Sequence, residues 1–478
     1  LDELPGPPGL PVVGHLLAIR SARMHHQLEA WAQRYGPAYR LRFGPSRVLV
    51  ITDHAAIAQV LRDRPDGFRR TVRLEQTSRE MRLPTGLFGA NGDTWRRQRR
   101  MVMAAFDPGH VRRYHPALQR VAGRLAERWR GAAAAGRVID LQADLMRYTV
   151  DVVAGLAFGA EVDTLRSDGD VIQAHLNRIF PSLFRRAMAP LPTWRWFPSA
   201  EDRALVRSVA AVQVAIDDFI TRARARLDAD PARRMAPQNL LEAMLVAADE
   251  PDSGIDDAQV SGNVLTMLLA GEDTTANTLC WAIWFLWRHP AALARATDEV
   301  RRICRDPAAP TPQEITQLDF IEAVAHETMR LKPVAPIQVL QAIRPVVVAG
   351  VQIEPGTVLV ALMRLDATNE RLVPAAAAFQ PARWLAGPAQ HDDAQAAGNG
   401  PPLGAAKRAS MPFGAGPRIC PGRYLALTEM KTALAVLLGG FELLDVGTPD
   451  GAEPVERLQF AMAPVGLTMR LRARPTPA

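Results

Sequence analysis

Residues Phe413–Gly422 read FGAGPRICPG, and the rest of the chain is interpreted from this stretch. Its fixed elements are Phe413, Gly416, Arg418, Cys420 and Gly422. At average residue usage, all five at these spacings arise by chance in a chain this long on the order of once in ten thousand. Each has a physical task. Gly414 and Gly416 let the backbone turn tightly and come close to a flat ligand. Cys420 precedes Pro421, which suits the first position of a helix predicted to run to about Gly439. A sulfur at a helix start meets unpaired N–H groups and the positive end of the dipole. Both lower its pKa and favour the thiolate, the form that binds metals. Arg418 can neutralise a carboxylate of the ligand, and Phe413 can shield the sulfur from water and oxidants.

Upstream, residues 270–275 read AGEDTT inside a segment of helical periodicity. Gly271 weakens the helix, and the Thr274 hydroxyl can compete for the Ala270 carbonyl, so a local opening that could hold a water is expected. Glu272 and Asp273, set among apolar neighbours, need partners. Taken alone, an Asp-Thr pair on a helix is more often structural or exposed than functional.

The decapeptide resembles the haem-binding signature of the cytochrome P-450 family, and further landmarks in the same order extend the resemblance over nearly the whole chain. It implies a mainly α fold with small β-sheets (α+β), a single large triangular domain holding haem between a long central helix and the Cys-bearing loop. The implied cofactor is haem b, iron protoporphyrin IX, with Cys420 as the axial thiolate and metal ligand. Arg418, Phe413, Gly414 and Gly422 are the implied contacts on that side, and Ala270 and Gly271 lie over the haem. By the same resemblance Thr274 hydrogen-bonds bound oxygen, while Asp273, with Glu272 beside it, helps relay protons. Heterolytic O–O cleavage consumes two protons as the thiolate donates electron density to iron, which is why an acid and an alcohol are needed there. Peroxide-driven relatives often lack the pair, so its presence favours O2 and delivered electrons.

Glu327 and Arg330 stand three apart in AHETMRLKP, by themselves an ordinary helical ion pair. The resemblance makes them the family's E-x-x-R, with FQPARW (Phe379–Trp384) as its downstream P-x-R motif and Trp384 where phenylalanine is commoner. Glu327, Arg330 and Arg383 are then a structural network behind the haem loop. Trp95 and Arg99, in TWRRQRR, resemble the W-x-x-x-R helix. One helical turn puts both on one face, where indole N–H and guanidinium can bind the haem propionates. There is one departure. Many relatives place another propionate-binding arginine after the E-x-x-R helix, where this chain aligns Leu340 or Gln341. Arg344 is the nearest candidate, and its role is left open.

The remaining sequence bounds this reading. Of 478 residues, 48% are hydrophobic and 22% charged, an ordinary globular balance with neither linker nor repeat, so one domain over 1–478 without a reductase domain is expected. Helices are predicted at 111–131, 140–158, 202–227, 237–248, 257–288, 290–304 and 319–331. Strands are predicted at Ala38–Phe43 and Arg47–Ile51 around a Gly44-Pro45 turn, over Pro345–Met363, near Phe441–Leu444 and over Phe460–Leu471. Residues 386–409, rich in Ala, Gly, Pro and Asp, read as a surface loop. The net charge is +7, which admits an acidic protein, nucleic acid or an anionic membrane as partner. No recognised nucleic-acid module accompanies the charge, and no apolar tract reaches the roughly 18 residues of a span. Neither nucleic-acid binding nor stable membrane insertion is therefore expected. Three cysteines (Cys280, Cys304 and Cys420) are too few for a disulfide framework, and no N-terminal stretch resembles a signal peptide. A reducing cytoplasm is the expected compartment.

Neither a Walker loop nor a dinucleotide fingerprint occurs, so electrons must come from another protein. An acidic ferredoxin or flavodoxin-like partner with its reductase is expected to dock on Arg96, Arg97, Arg100, Arg112, Arg113, Arg408 and Arg423. By family position the substrate pocket draws on Leu83, Leu87, Phe88, Met267, Ala270, Ile337, Val339 and Met462, although core packing suits the same residues. Such a lining fits an apolar small molecule: fatty-acyl, terpenoid, steroid or macrocyclic. The leading expectation is a monooxygenase inserting one atom of O2 by hydroxylation or epoxidation. A peroxide-driven peroxygenase or isomerase and a non-catalytic haem sensor are the alternatives, and Asp273 and Thr274 argue against the first.

Overall fold

The computed structural model describes residues 1–159, 163–166, 171–189, 191–385 and 404–475. Its axis is the 32-residue helix Asp257–Arg288, which has the limits predicted from sequence. Asp256 starts it with a reciprocal cap: its carboxylate accepts from the Gln259 N–H, and the Gln259 side chain accepts from the Asp256 N–H. Pro290 opens the next helix, Pro290–Ile303, and so separates the two. Residues 275–283 are buried on every side, the polar Thr275, Asn277 and Thr278 included, so this stretch lies inside the protein and not along its surface. Leu141–Val153, Asp319–Leu331 and Arg423–Gly440 pack around this central helix.

The helix stays unbroken through AGEDTT, so the expected local opening does not interrupt it. Thr274 Oγ1 donates to Ala270 O at 2.6 Å, adding to the helical ladder without displacing it. Gly271 has a packing reason: a Cβ there would lie 2.6 Å from a methyl of Val153 on the neighbouring helix.

A five-stranded sheet flanks the helical body in the order Ala38–Phe43, Ser46–Ile51, Val358–Leu362, Ile337–Ala342, Phe68–Arg69. The first two form the predicted hairpin, pairing Ala38 with Ile51 and Phe43 with Ser46. Ser46–Ile51 runs parallel to Val358–Leu362, and the other pairs are antiparallel. Three smaller sheets complete a mainly helical α+β fold.

Several limits differ from expectation. Predicted 111–131 is two helices, Pro108–Arg113 and His115–Ala134, each with proline in its first turn. Predicted 140–158 is Leu141–Val153 followed by a wider turn, Ala154–Phe158, ended by Gly159 at φ +62°. Predicted 237–248 starts at Leu240, because the Asn239 side chain caps Glu242. Strand Ile337–Ala342 was missed. Of the expected loop 386–409, residues 386–403 lie outside the described residues, and Ala405–Ala409 is a short helix. Among the described residues, no helix is long and apolar enough to cross a membrane.

Candidate active site

The cysteine loop is closed by its own backbone. The Cys420 N–H donates to Phe413 O at 2.9 Å, and the Gly414 N–H donates to Met411 O at 2.9 Å. The two glycines divide their work. Gly414, at φ +74°, has open space where a Cβ would stand and lines the cavity described below. Gly416, at φ +68°, faces protein instead: its Cβ would lie 2.6 Å from Leu61 O and Arg62 Cα, at the end of helix His54–Arg62. The expectation that both approach a flat ligand is corrected for Gly416.

The following helix begins at Arg423, with Gly422 as its cap, because Pro421 and Gly422 make a turn. Pro421 is therefore not its first residue. Burial pushes the Cys420 thiol up, opposed by a hydrogen bond from the Gly422 N–H and by the nearby Arg99 and Arg423 cations. The expected lowering by a helix start is thus outweighed by desolvation, and metal coordination, which deprotonates a thiol outright, has to supply the thiolate.

A cavity of about 800 Å³ lies between this loop and the central helix. The loop contributes Phe413, Gly414, Arg418, Cys420 and Gly422, the central helix Met267, Ala270, Gly271 and Thr274, and helix Gly92–Ala105 Trp95 and Arg99. Leu83, Leu87, Phe88, Ile337 and Val339 also line it. Met462 does not. It is fully buried in a separate apolar cluster with Met24, Trp281 and Leu458, and its chain neighbours Phe460 and Ala461 face the cavity. Glu272 and Asp273 also lie off the lining. Glu272 is buried, and burial pushes the Asp273 carboxyl up to about 6. Of the three cysteines, Cys420 alone reaches the cavity, while Cys280 and Cys304 sit in the main core.

The cavity's charge is mainly positive: arginines outnumber the two lining glutamates, and of these Glu75 is paired with Arg69. Arg64, Arg70, Arg99 and Arg418 all line it. Arg418 stacks over the Trp95 ring at 4.9 Å and donates through Nη2 to Ala90 O, but its Nη1 has no partner. Arg64 is 4% exposed, with Nε and Nη2 both unpartnered. Burial and the neighbouring Arg70 and Arg418 push its pKa far down. Arginine does not give up its proton in a protein, so this cluster calls for an anion. A flat dianion such as haem b, with a thiol at its metal and two carboxylates at its edge, fits the donors that face the cavity. Sequence reasoning missed Arg64 and Arg70, since among so many arginines nothing local marks a buried one. It also missed Glu429, which lines the cavity, although an acid amid the apolar run of helix Arg423–Gly440 was a signal.

The cytochrome P450 family model matches residues 4–470. The chain belongs to the cytochrome P450 family. The P450 is similar to cyclooctat-9-en-7-ol 5-monooxygenase of Streptomyces melanosporofaciens, with 28% identity over 442 residues covering 92% of this chain and 89% of that protein. It is 27% identical over 432 residues to the chloroplastic carotene epsilon-monooxygenase of Arabidopsis thaliana, covering 86% and 75%. It is 25% identical over 455 residues to the chloroplastic protein LUTEIN DEFICIENT 5 of Arabidopsis thaliana, covering 93% and 73%. As the family does, this P450 binds haem b through an axial cysteine thiolate and acts as a monooxygenase on an organic substrate, with O2 and a redox partner.

The P450 brings Glu327, Arg330 and Arg383 together. Arg330 meets Glu327 in a two-point bond (2.7 and 2.8 Å) and donates to the carbonyls of Ala367, Ala376 and Ala378. Arg383 Nε donates to Glu327 Oε1 at 3.0 Å. Trp384, the departure from phenylalanine, donates its indole N–H to Glu327 Oε2 at 2.8 Å. The two Glu327 oxygens thus accept from four residues once the Gln380 N–H is included, and these bonds keep the carboxylate low against burial.

Proposed function

We propose that this P450, acting as a single domain over 1–478, hydroxylates or epoxidises a hydrocarbon-rich substrate of the terpenoid class, with Cys420 as the axial ligand. The observation that carries the ligand is that Cys420 faces the arginine-lined cavity while the other cysteines do not. Bound haem supplies O2 activation, delivering one oxygen atom to the substrate while the other leaves as water. Phe413 and Gly414 flank the sulfur, and Trp95, Arg99 and Arg418 hold the carboxylate edge. Asp273, its carboxyl pushed up to about 6 by burial and with Glu272 beside it, relays protons that the Thr274 hydroxyl passes into the cavity. Ala270 and Gly271 line the cavity beside that hydroxyl. Glu327, Arg330 and Arg383 hold the wall behind the loop and take no part in the chemistry.

Substrate class is supported by the apolar lining and by the alkenol and carotene in the names of relatives. Phe460 stands edge-on to both Phe88 (5.4 Å) and Phe180 (5.0 Å), an aromatic corner suited to a rigid hydrocarbon. Electrons come from an acidic ferredoxin or flavodoxin-like protein. Arg100, Arg112, Arg113 and Arg408 are exposed, and Arg423 is half-buried beside the cysteine. Arg96 contributes little, because Asp66 and Asp93 both pair with it, and Arg97 is half-buried. A reducing compartment, the cytoplasm, suits three unpaired cysteines.

The test is spectroscopic. Reduced, carbon-monoxide-treated protein should show the far red-shifted band of thiolate-bound haem, and Cys420→Ser should abolish it; a native band in that variant rejects the ligand. Thr274→Ala should divert delivered electrons to peroxide by about tenfold or more relative to product. Unchanged coupling rejects the proton role.

A further inference from the structure

The family's additional propionate-binding arginine has no counterpart where the resemblance places it. Leu340 is fully buried in an apolar cluster. The Gln341 side chain is used up by the backbone, accepting from the Val72 N–H and donating to Gly356 O. Arg344 is exposed and gives both bonds of one nitrogen to Asp63, at 2.7 and 2.8 Å. None of the three faces the cavity.

One residue beyond Asp63, Arg64 does face it, almost completely buried and with two of its nitrogens unpartnered. Nothing acidic offsets it: the neighbouring charges acting on it are Arg70 and Arg418. Arg70 is already held, stacking on Phe88 at 4.1 Å and donating to Phe88 O and Gln338. Arg64, by contrast, has both Nε and Nη2 free. Folding a chain around such a group costs free energy unless an anion from outside the polypeptide meets it.

We propose that Arg64 is a cofactor-carboxylate anchor of this P450, binding a haem propionate together with Arg418 in place of the arginine absent at Leu340–Gln341. This rests on the haem-thiolate reading of the same cavity. Arg344, exposed and already paired with Asp63, takes no part in that contact.

The experiment compares holoenzymes of native protein, Arg64→Gln, Arg64→Lys and Arg344→Gln. Haem transfer to excess apomyoglobin should be about tenfold or more faster in R64Q, as expected for losing a charge-assisted two-point bond. R64K, which keeps charge but not the fork, should fall between, and R344Q should match native protein. Loss of a cation beside the carboxylate should also move the haem reduction potential of R64Q negative and leave that of R64K nearly unchanged. Native-rate haem release by R64Q, with the thiolate band intact, overturns the assignment, and so does equal loss in R344Q. If R64Q yields no holoenzyme, R64K decides: native release in that variant overturns the proposal. Absence of the thiolate band from the native protein would instead strike the Cys420 reading.

Discussion

Glu429 lies on the helix that follows the cysteine loop, buried, with the Thr275 hydroxyl as its hydrogen-bond partner, and burial pushes it up to about 8. Its ordinary value is 4.5, so between about pH 4.5 and 8 the folded protein keeps a proton that the unfolded chain has lost. Stability therefore falls as pH rises through that window. Below it neither state is penalised, and above it the buried carboxylate costs on the order of a few kcal/mol. Glu429→Gln keeps an amide for Thr275 and removes the titration. Its melting-temperature advantage over the native holoenzyme should grow from about pH 5 to about pH 8; a constant difference would mean that the carboxylate is already compensated. Trp384 shows the same scale from the other side. What looked like a departure from the family is explained by one bond, from its indole to Glu327.

At the scale of elements, legibility followed local chemistry. Asp257–Arg288 could be delimited because Asp256 caps one end and Pro290 closes the other, both signals held within a few residues. The Gly44-Pro45 hairpin was legible for the same reason. Strand Ile337–Ala342 was not. IQVLQA lacks clean alternation, and it exists through pairing with Val358–Leu362 and Phe68–Arg69, the latter far away in sequence. The site divides likewise. Cys420, Phe413, Arg418, Trp95 and Thr274 stand in compact motifs, and the fold brings all five to one cavity. Met462 failed because one step along a strand reverses the face. Arg64 was invisible because its burial is a tertiary fact. A further contact was unreadable too. A Cβ on Gly86 would lie 2.0 Å from Gly262 O, and one on Gly262 would lie 2.6 Å from Gly86 N, so the segment carrying Leu87 rests directly on the central helix. Asn263 secures it, accepting from the Leu87 N–H and donating to Gln98.

Over the whole molecule, the +7 net charge is dispersed among ion pairs in some regions and exposed in others. Where Arg96 is matched by Asp66 and Asp93, a partner gains little; Arg100, Arg112 and Arg113 offer more. Reversing those three to glutamate should slow electron delivery from an acidic partner about tenfold or more at low ionic strength and flatten its salt dependence. Turnover supported by peroxide should be unaffected, and an unchanged salt dependence would relocate the docking face.

The missing methyl group at Gly416 has a consequence at this scale. By letting the Leu61–Arg62 backbone sit flush against the sulfur's loop, it works as a gauge block between two jaws, one carrying Cys420 and the other Arg64. The gap between thiol and guanidinium is thereby machined into the polypeptide itself. Even an alanine shim would misfit the pigment at both ends at once.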